Sequence, residues 1–280
     1  MSSNRPLAPE TAAAQAMHYL DKETGAVVPP IHPTSTFARN ENYDLIGGYN
    51  YSRYESPTID LAESVICRLE GGAASRLFGS GLAGMQAVFE TVKPGAHVVV
   101  PKVMYFGALL WLRRMAAQKA ITISQFDQGD IGELRHAVRP GKTELVWIET
   151  PANPTFEVID IAECARIAHD AGAALGVDGT NAPPCTQRPL ELGADLSFHS
   201  ATKYLNGHSD MTGGVVTVPR KTPASRSFTS SANSKARCWA RSKPGCWCAE
   251  CGLCSFASSG SRPTRWRWRR ISRGTPRSSA

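Results

Sequence analysis

Leu145-Val146-Trp147-Ile148-Glu149, residues 160–171, and Ala174-Leu175-Gly176-Val177-Asp178 read in turn as strand, helix and strand, and this unit decides the fold. Asp160, with Glu163 three residues on, resembles a capping box that uses Asp as the cap and marks where the helix starts. The same alternation extends in both directions. Upstream, Ser56-Pro57 opens a helix with Ile59, Ala62, Val65, Ile66 and Leu69 on one face, and Gly71-Gly72 ends it. A second helix follows Ser80-Gly81, with Leu82, Met85, Val88 and Phe89 inward, until Lys93-Pro94-Gly95 stops it. Strand 97–100, helix 107–117, strand 121–126 and helix 130–138 then lead into the central unit, and strands 195–199 and 214–218 follow it. Such alternation implies an α/β fold: a mainly parallel sheet with helices on both faces, whose ligands gather at the carboxyl ends of the strands.

The 280 residues allow one large α/β domain or two smaller ones, and the 42% hydrophobic content fits a soluble globular protein. No apolar run approaches membrane-spanning length, and residues 1–24 lack a signal-peptide core, so the expected compartment is the cytoplasm. The net charge of +7 conceals two different parts. Residues 1–219 carry 17 Lys/Arg against 23 Asp/Glu, a net of −6, whereas residues 220–280 carry 14 against Glu250 alone, a net of +13. We therefore divide the chain into an N-terminal arm (1–50), a large domain (51–219) and a basic tail rich in Cys, Trp and Arg (220–280). Within the arm, Val27-Val28-Pro29-Pro30-Ile31-His32-Pro33 cannot be regular helix, because its three prolines remove donors and restrict their neighbours.

Chemistry-bearing residues collect at the predicted strand ends. Ser200-Ala201-Thr202-Lys203 follows strand 195–199, and burial there is expected to desolvate Lys203, freeing its amine for carbonyl chemistry. The hydroxyls of Ser200 and Thr202 suit an anionic phosphate near the same carbonyl. Gly79-Ser80-Gly81-Leu82 opens a helix whose first amides favour an anion, unless it is a plain Gly-rich turn. Asp178 is either a surface turn residue or the partner of a buried positive group; opposite a pyridine nitrogen it would keep that nitrogen protonated. Asn153, in Glu149-Thr150-Pro151-Ala152-Asn153-Pro154, is a donor suited to a phenolate oxygen. Tyr105 could stack on a planar ring or pack in the core, and Arg53 in Tyr51-Ser52-Arg53-Tyr54 could fork onto a phosphate or stay solvated.

Taken together, these segments resemble the Cys/Met-metabolism family of pyridoxal-phosphate (PLP) enzymes, over about residues 24–218. The matching stretches are Gly25-Ala26-Val27-Val28-Pro29-Pro30-Ile31, Tyr51-Ser52-Arg53 with Ser56-Pro57-Thr58, and Ser80-Gly81-Leu82-Ala83. They continue through residues 149–154 and Val177-Asp178-Gly179-Thr180 to Ser200-Ala201-Thr202-Lys203-Tyr204-Leu205-Asn206-Gly207-His208. The resemblance implies a fold-type-I large domain and a carbon–sulfur lyase or synthase of transsulfuration, eliminating or replacing at the β or γ carbon of an amino acid. Lys203 would then form the Schiff base and move the α-proton, and Asp178 would pair with the pyridine nitrogen. Ser80, the amides of Gly81 and Leu82, Ser200 and Thr202 would hold the phosphate, Tyr105 would stack on the ring, and Asn153 would contact its phenolic oxygen. Tyr51 and Arg53 would reach the phosphate of a neighbouring subunit in a homodimer or homotetramer. Two departures stand out: Gly179 where the family commonly has Asn, and the less polar Phe106-Gly107-Ala108-Leu109 after Tyr105.

After Val218 the resemblance is expected to stop, and with it the small C-terminal domain that supplies an arginine for the substrate carboxylate. Read literally, Cys246, Cys248, Cys251 and Cys254 suggest a zinc site, and Arg265-Trp266-Arg267-Trp268-Arg269-Arg270 suggests nucleic-acid or membrane contact. The preferred reading is instead an out-of-frame translation, disordered, without metal or nucleic-acid function. Shifting each codon back by one nucleotide turns Trp239 and Trp247 into Leu, Ala240 into Gly and Cys248 into Val, and lets residues 238–248 read VLGxFEAWLLV, like the family at this point. A frameshift near residues 219–222 is the hypothesis, and sequencing the locus without finding a rescued frame would refute it. Beside the working enzyme, two other readings stand: a non-catalytic remnant that still binds PLP, and a binding module built on the basic tail.

Overall fold

A computed structural model describes residues 8–219. Seven strands form one sheet: β1 (Ala74–Phe78), β2 (His97–Pro101), β3 (Thr122–Phe126), β4 (Thr143–Glu149), β5 (Ala174–Asp178), β6 (Leu196–His199) and β7 (Gly214–Val218). Their order is β1-β7-β6-β5-β4-β2-β3. Strands β3, β2, β4, β5 and β6 are parallel neighbours, and β7 runs against both β6 and β1. The mainly parallel α/β sheet expected from the alternation is what the chain forms.

Period-two alternation sorts the side chains between the two faces. Val98, Val100, Leu145, Trp147, Leu196, Phe198 and Val216 pack against α3 (Gly81–Phe89) and α4 (Phe106–Lys119). Their neighbours Val99, Val146, Ile148, Leu175 and Val177 pack on the other face against α5 (Ile131–Ala137) and α6 (Ile161–Asp170). On that face Leu77 and Val215 meet Ile59 and Ile66 of α2 (Pro57–Glu70). Burying one such aliphatic side chain contributes about 1.5–3 kcal/mol, so both faces contribute to holding the sheet.

The helix starts lie where their caps demand. Ser56 Oγ accepts the Ile59 N–H at 3.3 Å, with Pro57 in the first turn, and left-handed Gly71 (φ 67°) ends the helix. Asp160 Oδ1 accepts the Glu163 N–H at 3.0 Å. The reciprocal half of that capping box is missing, because the Glu163 carboxylate turns to Arg166 and Arg135. A charged fork 2.7 Å away offers a carboxylate more than one backbone amide does.

Of the arm, α1 (Pro9–Ala14) is helical, and Ala12 within it and Ala16 just past it pack against Val65 and Leu69 of α2. The segment 27–33 contains no helix, as its prolines require. One strand escaped the sequence reading. The five residues of β1 place Ser75 and Arg76 side by side between Ala74 and Leu77-Phe78, which breaks any apolar run, and their partner β7 lies far along the chain. Ser75 Oγ and Thr217 Oγ1 bond across the two strands at 2.8 Å, and Arg76 pairs with buried Glu63 at 2.9 Å.

Candidate active site

The carboxyl ends of β4, β5 and β6 meet the N-terminus of α3 at one edge of the sheet, and the sequence-predicted residues sort there into a cradle, a floor and a rim. The cradle begins with Ser80, the N-cap of α3. Its Oγ accepts the Ala83 N–H at 3.1 Å, which leaves the hydroxyl proton to donate outward. Beside it the amides of Gly81 and Leu82 have no intrahelical acceptor. Ser200 closes the other side: a Cβ placed on Gly81 would lie 2.6 Å from Ser200 Oγ, so only glycine permits this approach. Free amides, a helix N-terminus and two hydroxyls fit a phosphate group. Thr202 Oγ1 accepts the Gly213 N–H at 3.0 Å and faces the Gly213 carbonyl at 3.2 Å.

The floor consists of buried titratable groups. Glu149 and Asp178 sit directly opposite one another at the ends of β4 and β5, only 5% and 4% exposed. Asp178 is thus no surface turn residue. Its Oδ1 accepts the Thr180 N–H at 3.0 Å and the Thr180 hydroxyl at 2.6 Å, and that hydroxyl oxygen in turn accepts the Ser200 N–H at 2.8 Å. Burial pushes the Asp178 carboxyl above its ordinary range, while the Thr180 bonds and His199 pull it down. Glu149 is pushed up to about 7, first by burial and then by the Asp178 charge, against the amides of Asn153 and Tyr105. Behind Asp178, His199 Nε2 bonds Glu70 Oε1, and both side chains are fully buried. The His199 ring explains Gly179: a Cβ there would come within 2.9 Å of His199 Cε1.

The rim is exposed. Tyr105 is 52% exposed at the start of α4, which excludes packing in the core. Gly107 lies under its ring, since a Cβ there would meet Tyr105 Cε1 at 3.0 Å. Asn153 stands exposed on the loop after β4, in which the Thr150–Pro151 and Asn153–Pro154 bonds are both cis. Lys203 follows β6 in a turn, and its backbone N–H bonds the Ser200 carbonyl at 3.0 Å. Its side chain is exposed, so the expected desolvation is corrected: burial ends with the strand at His199, and the turn carries the lysine out over the edge. Tyr51 and Arg53 lie at the start of the large domain, just past the arm, with the guanidinium 4.8 Å from the centroid of the Tyr51 ring.

Sequence reasoning gave no role to Glu149, Glu70 or His199. For Glu149 a signal existed, an acid directly ending an apolar strand as Asp178 does. Glu70 in α2 carried none. The readings placed on the basic tail, including the zinc and nucleic-acid ones, lie outside the described residues. Among the described residues no cluster of His, Cys, Asp and Glu could hold a metal ion, and no helix is long and apolar enough to cross a membrane.

Comparison with known proteins identifies the family. Residues 10–247 match the model of the Cys/Met metabolism PLP-dependent enzyme family, past Val218, where the sequence reading ended the resemblance. Cystathionine beta-lyase of Coxiella burnetii is 40% identical over 210 residues, covering 75% of this chain and 54% of that protein. Human cystathionine gamma-lyase is 42% identical over 211 residues, covering 74% and 52%. The chain spans about half the length of the curated relatives it matches. Among solved structures, cystathionine gamma synthase from Xanthomonas oryzae pv. oryzae, in complex with aminoacrylate and cysteine, superposes with a TM-score of 0.78 at 32% identity. That match covers 90% of this chain and 64% of the other.

Proposed function

The chain belongs to the Cys/Met metabolism family of PLP-dependent enzymes, and we propose from its site that it makes or breaks a carbon–sulfur bond at the β or γ carbon of an amino acid. One observation carries the reading: the helix N-terminus at Ser80, the Ser200–Lys203 turn and the buried Asp178 converge on one edge of the sheet. The residues fit pyridoxal phosphate, which when bound supplies an electron sink for the pair left by the α-proton.

Each residue then has a task. Ser80, Ser200 and the amides of Gly81 and Leu82 bind the phosphate and fix the ring's position. Asp178 Oδ1 is committed to Thr180, so Oδ2 is the oxygen that holds a proton on a pyridine nitrogen. Lys203 Nζ, exposed on its turn, binds a carbonyl and afterwards carries a proton to or from the α carbon. Tyr105 and Asn153 orient the ring from the rim. The same proposal includes a cytoplasmic homodimer or homotetramer, in which Tyr51 and Arg53 reach the phosphate of a neighbouring chain.

The test is chemical. The full chain is incubated with pyridoxal phosphate, reduced with borohydride and mapped by mass spectrometry. The expected label is on Lys203 and is abolished in Lys203→Ala. A folded sample that takes up no coenzyme, or a label on another lysine, overturns the reading. Product analysis with cystathionine then separates β-elimination, which releases pyruvate, from γ-elimination, which releases 2-oxobutanoate.

A further inference from the structure

Glu149 lies in the floor of the site but has no task in the proposed chemistry, yet it touches both segments of the rim. Its Oε2 accepts the Tyr105 N–H at 3.1 Å, and its Oε1 accepts the Asn153 N–H at 2.9 Å. Its own backbone is held on both sides by one side chain: Gln128 Nε2 donates to the Glu149 carbonyl at 2.8 Å, and Gln128 Oε1 accepts the Glu149 N–H at 3.1 Å. One rigidly mounted carboxylate therefore pins Tyr105, the N-cap residue of α4, and the loop after β4. Those two segments bear the ring-stacking tyrosine and the donor to the phenolic oxygen. A carboxylate at this end of α4 also complements the positive end of its dipole.

We propose that Glu149 is a positioning residue for the cofactor ring, setting the spacing between Tyr105 and Asn153 through their backbones. This rests on the PLP reading above. Charge-assisted hydrogen bonds from an ionised acceptor are about twice as strong as neutral ones, so the brace tightens when Glu149 is deprotonated and slackens when it is protonated.

The groups acting on that proton are few among the described residues. Asp178 faces Glu149 from β5 and opposes its ionisation, while Tyr105 at the N-cap of α4 and Asn153 of the loop favour ionisation through their amides. Beyond Asp178 lie His199 of β6 and Glu70 of α2. Placed against Asp178, a protonated pyridine nitrogen brings a positive charge beside both carboxylates and favours the ionised Glu149. With the Glu149 carboxyl at about 7, the brace is mostly loose at pH 6 and mostly tight at pH 8.

The test compares the full chain with Glu149→Gln, in two measurements. The first is hydrogen exchange without coenzyme: the Tyr105 and Asn153 amides are both expected to lose protection, by about tenfold, as suits two weakened charge-assisted bonds. The second is titration with pyridoxamine 5′-phosphate, which cannot form a bond to Lys203, followed by protein fluorescence. Affinity is expected to fall about five- to tenfold in the variant at pH 8, and less than about twofold at pH 6, where the wild-type carboxyl is itself neutral. A side chain with a merely structural role would give the same ratio at both values. If Glu149→Gln does not fold, Glu149→Asp replaces it; lacking one methylene, it should release one of the two amides and keep the pH step.

Unchanged protection at either amide in Glu149→Gln, or an affinity ratio independent of pH, overturns the proposal. A wild-type chain that binds no coenzyme analogue while both amides still loosen in the variant refutes the PLP reading and, with it, the role toward a ring, leaving only the brace.

Discussion

The floor and the rim of the site are built on opposite principles. Glu149, Asp178, His199 and Glu70 are buried, bonded to one another or to neighbouring backbone, and fixed by the sheet. Tyr105, Asn153 and Lys203 are exposed and stand on a helix start, a loop and a turn. The floor costs folding energy, because desolvated carboxyls lie side by side; the rim costs almost none. On the proposed chemistry, the carboxylates are thus held where the sheet fixes them, and the groups that would meet a ligand stand at the surface.

The largest effect should come from breaking the floor. Glu70→Ala leaves buried His199 with only the 3.3 Å Ser197 hydroxyl on Nε2 and is expected to cost about 3–5 kcal/mol in denaturant unfolding. A cost below about 1 kcal/mol would mean that the pair adds little to the fold.

The next effect is a pH dependence. Burial raises the Glu149 carboxyl from 4.5 to about 7, so the folded chain keeps that proton over a range where the unfolded chain has released it. Its stabilisation is whole below about pH 4.5, declines as pH rises through the window to about 7, and is flat above. The span is on the order of 3 kcal/mol, and Asp178, also raised, acts with the same sign. Half-buried Glu133 and Glu163 are shifted down by their basic partners and act with the opposite sign. The Glu149 share is thus read as the difference between the wild-type chain and Glu149→Gln, measured from pH 5 to 8. A pH-independent difference would refute it.

The smallest effect on stability belongs to the rim. Tyr105→Ala should change unfolding free energy by less than about 0.5 kcal/mol, as an exposed side chain does, yet weaken pyridoxal phosphate binding about three- to tenfold through lost stacking. Equal losses of stability and affinity would erase the distinction between floor and rim.

Much of this was legible in local sequence. Ser56-Pro57, Ser80-Gly81 and Asp160 marked helix starts because a cap acts within three residues, and the structure keeps all three caps. Strand 174–178 was read to the residue, since buried parallel strands show as apolar runs. Strand β1 was missed because its two polar residues are satisfied by Thr217 and Glu63, partners that no local pattern announces.

By itself the sequence determined the α/β alternation and the helix starts. Those are local properties, fixed by propensity, capping and apolar periodicity within a few residues. Only the tertiary structure decided that Glu149 lies opposite Asp178, that Glu70 reaches His199 across 129 positions, and that Lys203 is exposed. Burial and charge coupling depend on which elements pack together, and that packing is a property of the whole folded sheet.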